Sequence, residues 1–197
     1  MKATPMRAVR TTALATLFAF ALLLGSSRQA LAQSALLSGF GGAAGFGTSC
    51  LSPNDDGSSD MVDLSAAFPS GLHFFTGTYR TAFVNTNGNI TFRGAVSVYT
   101  PQSFPVANQP MIAPYWADVD IRPATPDCGG FQASTGSPGN GACRNPSSNG
   151  VWWHLTPGRM VVTWHRVGYF SCHDDHIMNF QLVLTDARAC EIGRAHV

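Results

Sequence analysis

Residues Phe74 to Asp120 read FFTGTYRTAFVNTNGNITFRGAVSVYTPQSFPVANQPMIAPYWADVD and hold the clearest folding signal of the chain. Asn87-Gly88 lies between two runs in which apolar and polar residues alternate. These two residue types best tolerate the positive φ angles of a two-residue type I′ turn, so the pattern predicts a β-hairpin. We expect Phe83 to face Phe92 across this hairpin, and we expect that pair to set the register.

One face of the hairpin should be apolar and the other mainly polar. The predicted apolar face carries Tyr79, Phe83, Ile90, Phe92, Val96 and Val98. Four prolines then follow, as far as Pro114, and they exclude long regular elements. The segment IAPYWADVD, Ile112 to Asp120, next brings aromatic residues and two carboxylates together.

Further strands are predicted at Val151 to Leu155, Met160 to Tyr169 and Asn179 to Thr185. The middle one is apolar on both faces, which is typical of a central strand. Ser171 to Ile177 reads as a polar turn. Gly, Pro, Ser and Asn are abundant and helix formers are sparse, so we predict an all-β fold. We expect it to be mainly antiparallel and sandwich-like, with little helix beyond the signal peptide.

The chain resembles the extracellular nidogen-like (NIDO) domain. The resemblance rests on ordered blocks with Trp and Pro at fixed places: Val84 to Phe92, Phe104-Pro105, Ile112 to Asp120, Val161 to Phe170 and Asn179 to Asp186. We expect structural roles for residues in and near these blocks, namely Asn87, Gly88, Phe83, Phe92, Pro114, Trp116 and Trp164.

This resemblance implies a non-catalytic extracellular interaction module, linked to cell–matrix adhesion in the animal members of the family. We expect a bacterial source, for which the role becomes surface or matrix adhesion. The partner would be an extracellular protein or glycan, bound by loops on a rigid sandwich. Charged residues make up only 12% of the chain, the net charge is +1, and there is no Lys/Arg run, so nucleic acid is not an expected partner.

Residues 1–32 predict a secretory signal peptide. Basic residues near the start precede an apolar run, Thr11 to Gly25, and Ala30-Leu31-Ala32 is a cleavage signal. The apolar run is short for a membrane span, although an uncleaved anchor is the alternative. No later stretch is long enough to cross a bilayer, so we expect a secreted or cell-surface protein.

The remaining chain divides into three parts. Residues 33–49 are rich in Gly and Ala and read as a flexible lead-in. The nidogen-like domain is expected over residues 50–190. Residues 191–197 read EIGRAHV, which looks like a translated sequencing adapter, so we expect a non-native tail and a domain that is incomplete at its C-terminus.

The 5 cysteines predict disulfides, because the chain is expected to be exported. Cys128–Cys143 is the favoured pair, since it closes a local loop, and Cys50–Cys172 is the natural second pair. Cys190, beside the suspect tail, stays unassigned. A thiolate zinc site is disfavoured because no C-x-x-C spacing exists.

Two acidic pairs offer the hard oxygens that calcium prefers: Asp55 with Asp56, and Asp118 with Asp120. The first pair belongs to a loop that reads as a plain Asx turn, and the second pair favours a structural role. We therefore predict no cofactor, and we keep calcium at these four carboxylates as the alternative.

Cys172-His173-Asp174-Asp175-His176 suggests a metal cluster, yet its residue types favour a solvated turn. The sequence has no hydrolase elbow, P-loop or dinucleotide motif, so we predict no catalytic residues and no enzyme.

Two alternatives of other classes stay open. One is a secreted metal-dependent hydrolase that uses Asp118, Asp120, His173 and His176. The other is a lectin-like, carbohydrate-binding domain, which exposed and coplanar Trp152 and Trp153 would support.

Overall fold

The computed structural model describes residues 36–102, 109–122, 128 and 150–186. Within these residues the strands pair antiparallel and no α-helix forms, which confirms the predicted all-β class. The described part also contains no helix long and apolar enough to cross a membrane. The strands are β1 (Ser49–Cys50), β2 (Val62–Asp63), β3 (Leu72–Phe74), β4 (Gly77–Tyr79), β5 (Thr81–Asn85), β6 (Asn89–Thr91), β7 (Met111–Ile112), β8 (Val119–Asp120), β9 (Gly150–Thr156), β10 (Arg159–Tyr169) and β11 (His173–Thr185).

Two sheets enclose the main core. The larger sheet has the order β1-β9-β10-β11, and β8 also pairs with β10. The second sheet has the order β2-β5-β6-β7, while β3 and β4 form a separate ribbon. Apolar side chains from both sheets belong to one buried cluster, so the sheets pack against each other as in a sandwich. Its fully buried members include Val84, Ile90, Val162, Trp164 and Val167.

β10 is the central strand, as predicted, because β8, β9 and β11 all pair with it. The predicted polar turn from Ser171 to Ile177 is wrong in its extent. The turn covers Phe170–Cys172, and β11 already begins at His173, which pairs with Tyr169. A strand continues through polar residues as long as its backbone is paired with a neighbouring strand. The side chains of His173–Ile177 are exposed, so their polarity does not oppose a strand here.

The hairpin at Asn87-Gly88 forms, but its register differs from the predicted one. Val84 pairs with Ile90, and Phe83 pairs with Thr91, so Phe83 and Phe92 do not face each other. A register change of one residue moves each side chain to the other face.

The turn itself explains the error. Asn85 pairs with Asn89, which leaves a three-residue loop, Thr86–Gly88, in which only Gly88 has a positive φ. A three-residue hairpin needs a left-handed residue only at its last position, whereas a type I′ turn needs two. The Asn-Gly pair is compatible with both turns, so the sequence could not distinguish them.

The observed register decides which side chains enter the core. Val84 and Ile90 are fully buried, whereas Phe83 is only half-buried. Phe92 is buried and stacks on Tyr79, with 4.6 Å between the ring centroids. The predicted continuation of the apolar face to Val96 and Val98 fails, because no described residue between β6 and β7 belongs to a strand.

Both predicted disulfide pairings are wrong. Cys128 is bonded to Cys172, which excludes Cys128–Cys143 and Cys50–Cys172. Cys50 is disulfide-bonded too, and its partner lies outside the described residues. Loop length had favoured the local pair, but the fold brings Cys128 close to the β10–β11 turn.

The segment expected to be a flexible lead-in lies on the larger sheet. Phe46 is buried against Trp152 and Cys50. The backbone N–H of Leu37 donates to Oε1 of Gln181 at 3.0 Å, and Nε2 of Gln181 donates to the Leu37 carbonyl at 2.9 Å. The predicted signal peptide, Phe104-Pro105, Cys143, Cys190 and the suspected tail lie outside the described residues.

Candidate functional site

Four segments meet at one end of the sandwich, which we call the loop end. They are the loop Asn54–Gly57, the hairpin turn Thr86–Gly88, the segment Asp118–Arg122 and the turn Phe170–Cys172. Backbone hydrogen bonds join all four: Thr86 N–H donates to Gly57 O at 3.0 Å, Ile121 N–H donates to Asn54 O at 3.0 Å, and Phe170 N–H donates to Asp118 O at 3.3 Å.

Asn54 shapes the first of these segments. Its Oδ1 accepts from the Gly57 N–H at 2.7 Å and from the Thr86 hydroxyl, and its Nδ2 donates to Ser52 O at 2.6 Å. The side chain is fully buried, so both of its polar atoms are satisfied within the protein. This bond from an Asx side chain back to the backbone closes the tight turn expected from the sequence, and it gives Asn54 a structural role.

Asn87 joins the hairpin turn to its neighbours on both sides. Its Oδ1 accepts from the Val119 N–H at 2.8 Å, and its Nδ2 donates to Oδ1 of Asp56 at 2.7 Å. Only 1% of Asn87 is exposed. A side chain with both a donor and an acceptor is required here, because an apolar residue would leave the Val119 N–H buried without a partner.

Gly88 is fixed by both its conformation and its surroundings. Its φ is +78°, and a Cβ at this position would lie 1.7 Å from the Tyr115 carbonyl oxygen. The Gly88 carbonyl in turn accepts from the Tyr115 N–H at 3.4 Å. The predicted structural roles of Asn87 and Gly88 thus have a tertiary reason that the turn propensity alone did not supply.

Trp164 lies under the same turn and connects the two sheets. Its indole Nε1 donates to the carbonyl of Thr86 at 3.0 Å, and its ring stacks on Phe180 with 4.9 Å between centroids. Trp116 is half-buried and donates to Val98 O at 2.8 Å, whereas Pro114 is exposed between β7 and β8.

An acidic cluster forms beside the hairpin turn. Carboxylate oxygens of Asp55, Asp56 and Asp118 lie within 4.8 Å of one another. Burial, followed by the charge of Asp120, raises the pKa of Asp55 to about 6, although the guanidinium of Arg122 opposes this shift. Burial and the charges of Asp56 and Asp120 also raise the pKa of Asp118.

Arg122 connects this cluster to Asp120. Its Nη2 lies 2.7 Å from Oδ2 of Asp55 and 2.5 Å from Oδ2 of Asp120. The same Asp120 oxygen accepts from the Cys172 N–H at 2.8 Å. The side chain of Asp120 is fully buried, so this carboxylate is committed to holding the structure together.

The arrangement divides the predicted calcium candidates. Asp55, Asp56 and Asp118 come together, and their oxygens suit a hard cation such as calcium. Asp120 does not join them, because its carboxylate accepts hydrogen bonds from Arg122 and from the Cys172 N–H. Calcium takes about six to eight oxygens, and one oxygen of Asp55 already accepts from Arg122, so the cluster supplies only part of a coordination shell.

The turn Phe170–Cys172 has an unusual backbone. Ser171 and Cys172 have φ angles of 61° and 59°. These values lie in the left-handed region, which residues other than Gly, Asn and Asp rarely adopt. The disulfide to Cys128 and the hydrogen bond to Asp120 hold the turn in this conformation. Strained backbone of this kind persists only where the surroundings determine it, and it concentrates at functional positions.

This turn exposes an aromatic group. Phe170 is 53% exposed. The ring of His173 stacks on Tyr169, with 4.7 Å between centroids, and the Tyr169 hydroxyl donates to Asp175 at 2.8 Å. We call Tyr169, Phe170 and His173 the aromatic cluster.

The residues of the hydrolase alternative are not assembled. Nδ1 of His173 lies 2.6 Å from the Phe170 carbonyl, and His176 is highly exposed beside Asp175. Among the described His, Cys, Asp and Glu side chains, the group close enough to share a metal is the acidic cluster, which contains no histidine. The lectin alternative also loses its basis, because Trp152 and Trp153 are only 1% and 3% exposed.

Sequence reasoning missed Arg122. The Asp-x-Arg spacing of Asp120 and Arg122 was the available signal.

Known proteins are similar to this chain over its β domain. A family model described as the nidogen-like domain matches residues 80–190. Alpha-tectorin of Mus musculus is 48% identical over 66 residues, which are 33% of this chain and 3% of that protein. Nidogen of Drosophila melanogaster is 27% identical over 135 residues, which are 65% of this chain and 10% of that protein.

Alpha-tectorin of Homo sapiens gives a similar result, with 47% identity over 66 residues, 33% of this chain and 3% of that protein. The chain therefore spans a small part of the curated relatives that it matches. These relatives are animal proteins and do not support the expected bacterial source. No solved structure matches the chain.

Proposed function

This chain belongs to the family of nidogen-like domains, and on that premise we propose that it serves in adhesion to the extracellular matrix, through the loop end. Its activity is binding rather than catalysis. The partner is an extracellular protein, and the aromatic cluster contacts it.

The chain is an extracellular protein. Its relatives, alpha-tectorin and nidogen, share the domain, and its Cys128–Cys172 disulfide suits an oxidising compartment. We further propose that residues 1–32 direct export and that the functional domain covers residues 50–190.

The observation that carries the proposed binding role is the exposed Phe170 on a rigid turn. Aromatic side chains that are held in place before binding contribute strongly to interfaces, because little conformational entropy is lost when they are buried. Phe170 is 53% exposed, and the turn is held by a disulfide at Cys172 and a hydrogen bond to Asp120.

The acidic and histidine side chains at this end favour binding over hydrolysis. Asp120 accepts from Arg122 and from Cys172, and the ring of His173 stacks on Tyr169. Groups that are already engaged in this way are poorly placed to act as a general acid or base.

The test compares two phenylalanine variants in binding to decellularised extracellular matrix. The fluorescently labelled full chain should bind saturably, and Phe170→Ser should weaken that binding by about tenfold. Phe75→Ser is the matched control, because Phe75 is 93% exposed at the tip of the β3–β4 ribbon, outside the loop end.

Thermal unfolding followed by circular dichroism checks that both variants keep the fold. An equal loss in both variants, or unchanged binding by Phe170→Ser, contradicts a binding surface at the loop end. Absence of saturable binding by the unmodified chain contradicts the adhesive role itself.

A further inference from the structure

β11 leaves one long edge of the larger sheet without a strand partner. It pairs with β10 on one side, and within the described residues no strand lies on its other side. β11 is 13 residues long, and none of them is buried. Such an edge presents a row of free backbone N–H and C=O groups.

The second half of this edge has no charged side chain and no proline to oppose pairing, and the bulge that faces Asn179 lies on β10 rather than on β11. Proteins protect edge strands with charged side chains, prolines, bulges or short length. The charged and ionisable residues of β11 all lie at His173–His176, whereas Ile177–Thr185 reads IMNFQLVLT. The opposite edge of the same sheet, β1, is only 2 residues long.

The described part of the lead-in, residues 36–49, does not cover this edge. Leu37 bonds to the side chain of Gln181, and Nε2 of Gln181 also donates to the hydroxyl of Thr163 on β10 at 2.7 Å. A side chain that reaches across to the neighbouring strand runs over the face of the sheet. The described part of the lead-in therefore lies on the face at Gln181, and none of the described residues covers the outer backbone of β11 with a strand.

We propose that two copies of this chain associate through antiparallel pairing of Ile177–Thr185 with the same segment of the second copy. A two-fold axis at Gln181 places Asn179 opposite Val183 and Ile177 opposite Thr185. Such a pairing is isologous, which is the commonest arrangement of homodimers.

Charge and length favour a second copy as the occupant. In this register Asp174 and Asp175 of both copies lie beyond the paired segment, so no like charges face each other. The partner strand also matches the uncharged segment along its whole length. In a parallel pairing in register, the acidic residues of the two copies would be side by side.

Apolar packing adds a second contribution. Four side chains of β11 pack on the core yet stay partly exposed: Met178, Phe180, Leu182 and Leu184. In the proposed register Phe180 lies opposite Leu182, and Met178 lies opposite Leu184, on the core side of a continuous sheet. Pairing therefore removes apolar surface of both copies from water.

The proposed paired segment, Ile177–Thr185, includes none of the residues of the aromatic cluster. Homodimer formation thus does not depend on the adhesive function, and a failure of one proposal leaves the other unaffected.

The test measures the molar mass of the full chain by light scattering after size exclusion, over concentrations from about 1 µM to about 500 µM. The unmodified chain should change from monomer to dimer. Val183→Lys should raise the dissociation constant about tenfold or more, because lysine at an edge opposes strand pairing. The matched control is Val98→Lys, since Val98 and Val183 are both 40% exposed and Val98 lies outside the strands.

Amide hydrogen exchange distinguishes dimerisation from a general change in the stability of the monomer. Dimerisation should slow exchange selectively in Ile177–Thr185 as concentration rises, and Val183→Lys should abolish this concentration dependence. A monomer at every concentration overturns the proposal and leaves the edge to a strand of another protein. A dimer that Val183→Lys and Val98→Lys affect equally also overturns it.

Discussion

The loop end contains two hairpin turns that hold left-handed backbone by different means. The turn Thr86–Gly88 uses a glycine and lies among buried polar side chains, of which Asn87 is 1% exposed. The turn Phe170–Cys172 uses Ser171 and Cys172 at similar φ angles, and it projects a half-exposed phenylalanine. Both turns have partners far along the chain, but the first has left-handed backbone only at a glycine, whereas the second places two residues with side chains in that conformation.

The distant partners of the second turn are specific. Cys172 is bonded to Cys128, 44 residues away, and its N–H donates to Asp120, 52 residues away. The buried turn therefore organises the domain, whereas the strained turn, which its partners also hold rigid, exposes the phenylalanine of the proposed binding surface.

The largest expected effect is at the buried turn. Gly88→Ala adds a Cβ that would meet the Tyr115 carbonyl at 1.7 Å, and it places alanine at a φ of +78°. We expect the free energy of unfolding to fall by about 3–5 kcal/mol, measured by urea denaturation. Gly94→Ala is the control, because a Cβ there meets nothing within 4 Å. Equal stability of the two variants would contradict the close approach at Tyr115.

The next effect concerns the hydrogen bonds that lead from Asp55, in the loop Asn54–Gly57, through Arg122 and Asp120 to Cys172 in the exposed turn. The folded pKa of Asp55 is about 6, above its ordinary value of 3.8, so the folded state binds this proton more tightly than the unfolded state. The contribution of Asp55 to stability is therefore greatest below pH 3.8 and falls as the pH rises through about 6.

We expect Asp55→Asn to remove this decrease. After discounting for solvent screening, the fall in the free energy of unfolding between about pH 4 and pH 7.5 should be smaller in the variant by about 1 kcal/mol. Asp63→Asn is the control. The Ser65 N–H lowers the pKa of Asp63, so the contribution of Asp63 to stability rises with pH, and its removal should change the pH profile in the opposite direction. A pH profile unchanged by Asp55→Asn would be evidence against the burial of this charge.

The smallest effect is at the exposed turn, and it has the opposite direction to that of Gly88→Ala. Ser171→Gly relieves a left-handed φ of 61°, so we expect a gain of about 0.5 kcal/mol in the free energy of unfolding. Ser65→Gly, at an exposed turn residue without a positive φ, should instead lose a similar amount. A loss in both variants would mean that Ser171 bears no strain.

The contrast between the turns also explains how far the sequence could be interpreted. Asn87-Gly88 correctly predicts a hairpin, because the turn preference is local. The register at Val84 and Ile90 was not predictable, since it depends on which turn the packing of Tyr115 and Trp164 selects.

For the site, the sequence indicated the acidic residues without their arrangement. Asp118 and Asp120 are two residues apart, yet one joins the acidic cluster and the other pairs with Arg122. The pairing of Cys128 with Cys172 was missed because loop length is a weak guide to which cysteines the fold brings together.

The buried hairpin turn has a further consequence for chemical durability. An Asn-Gly pair in a flexible chain deamidates readily, when the glycine nitrogen attacks the asparagine amide carbon to form a cyclic imide. Here the Gly88 N–H donates to Thr86 O at 2.7 Å, and both ends of the Asn87 amide are hydrogen-bonded. The fold therefore protects this Asn-Gly pair from the deamidation that the same two residues would undergo in an unfolded chain.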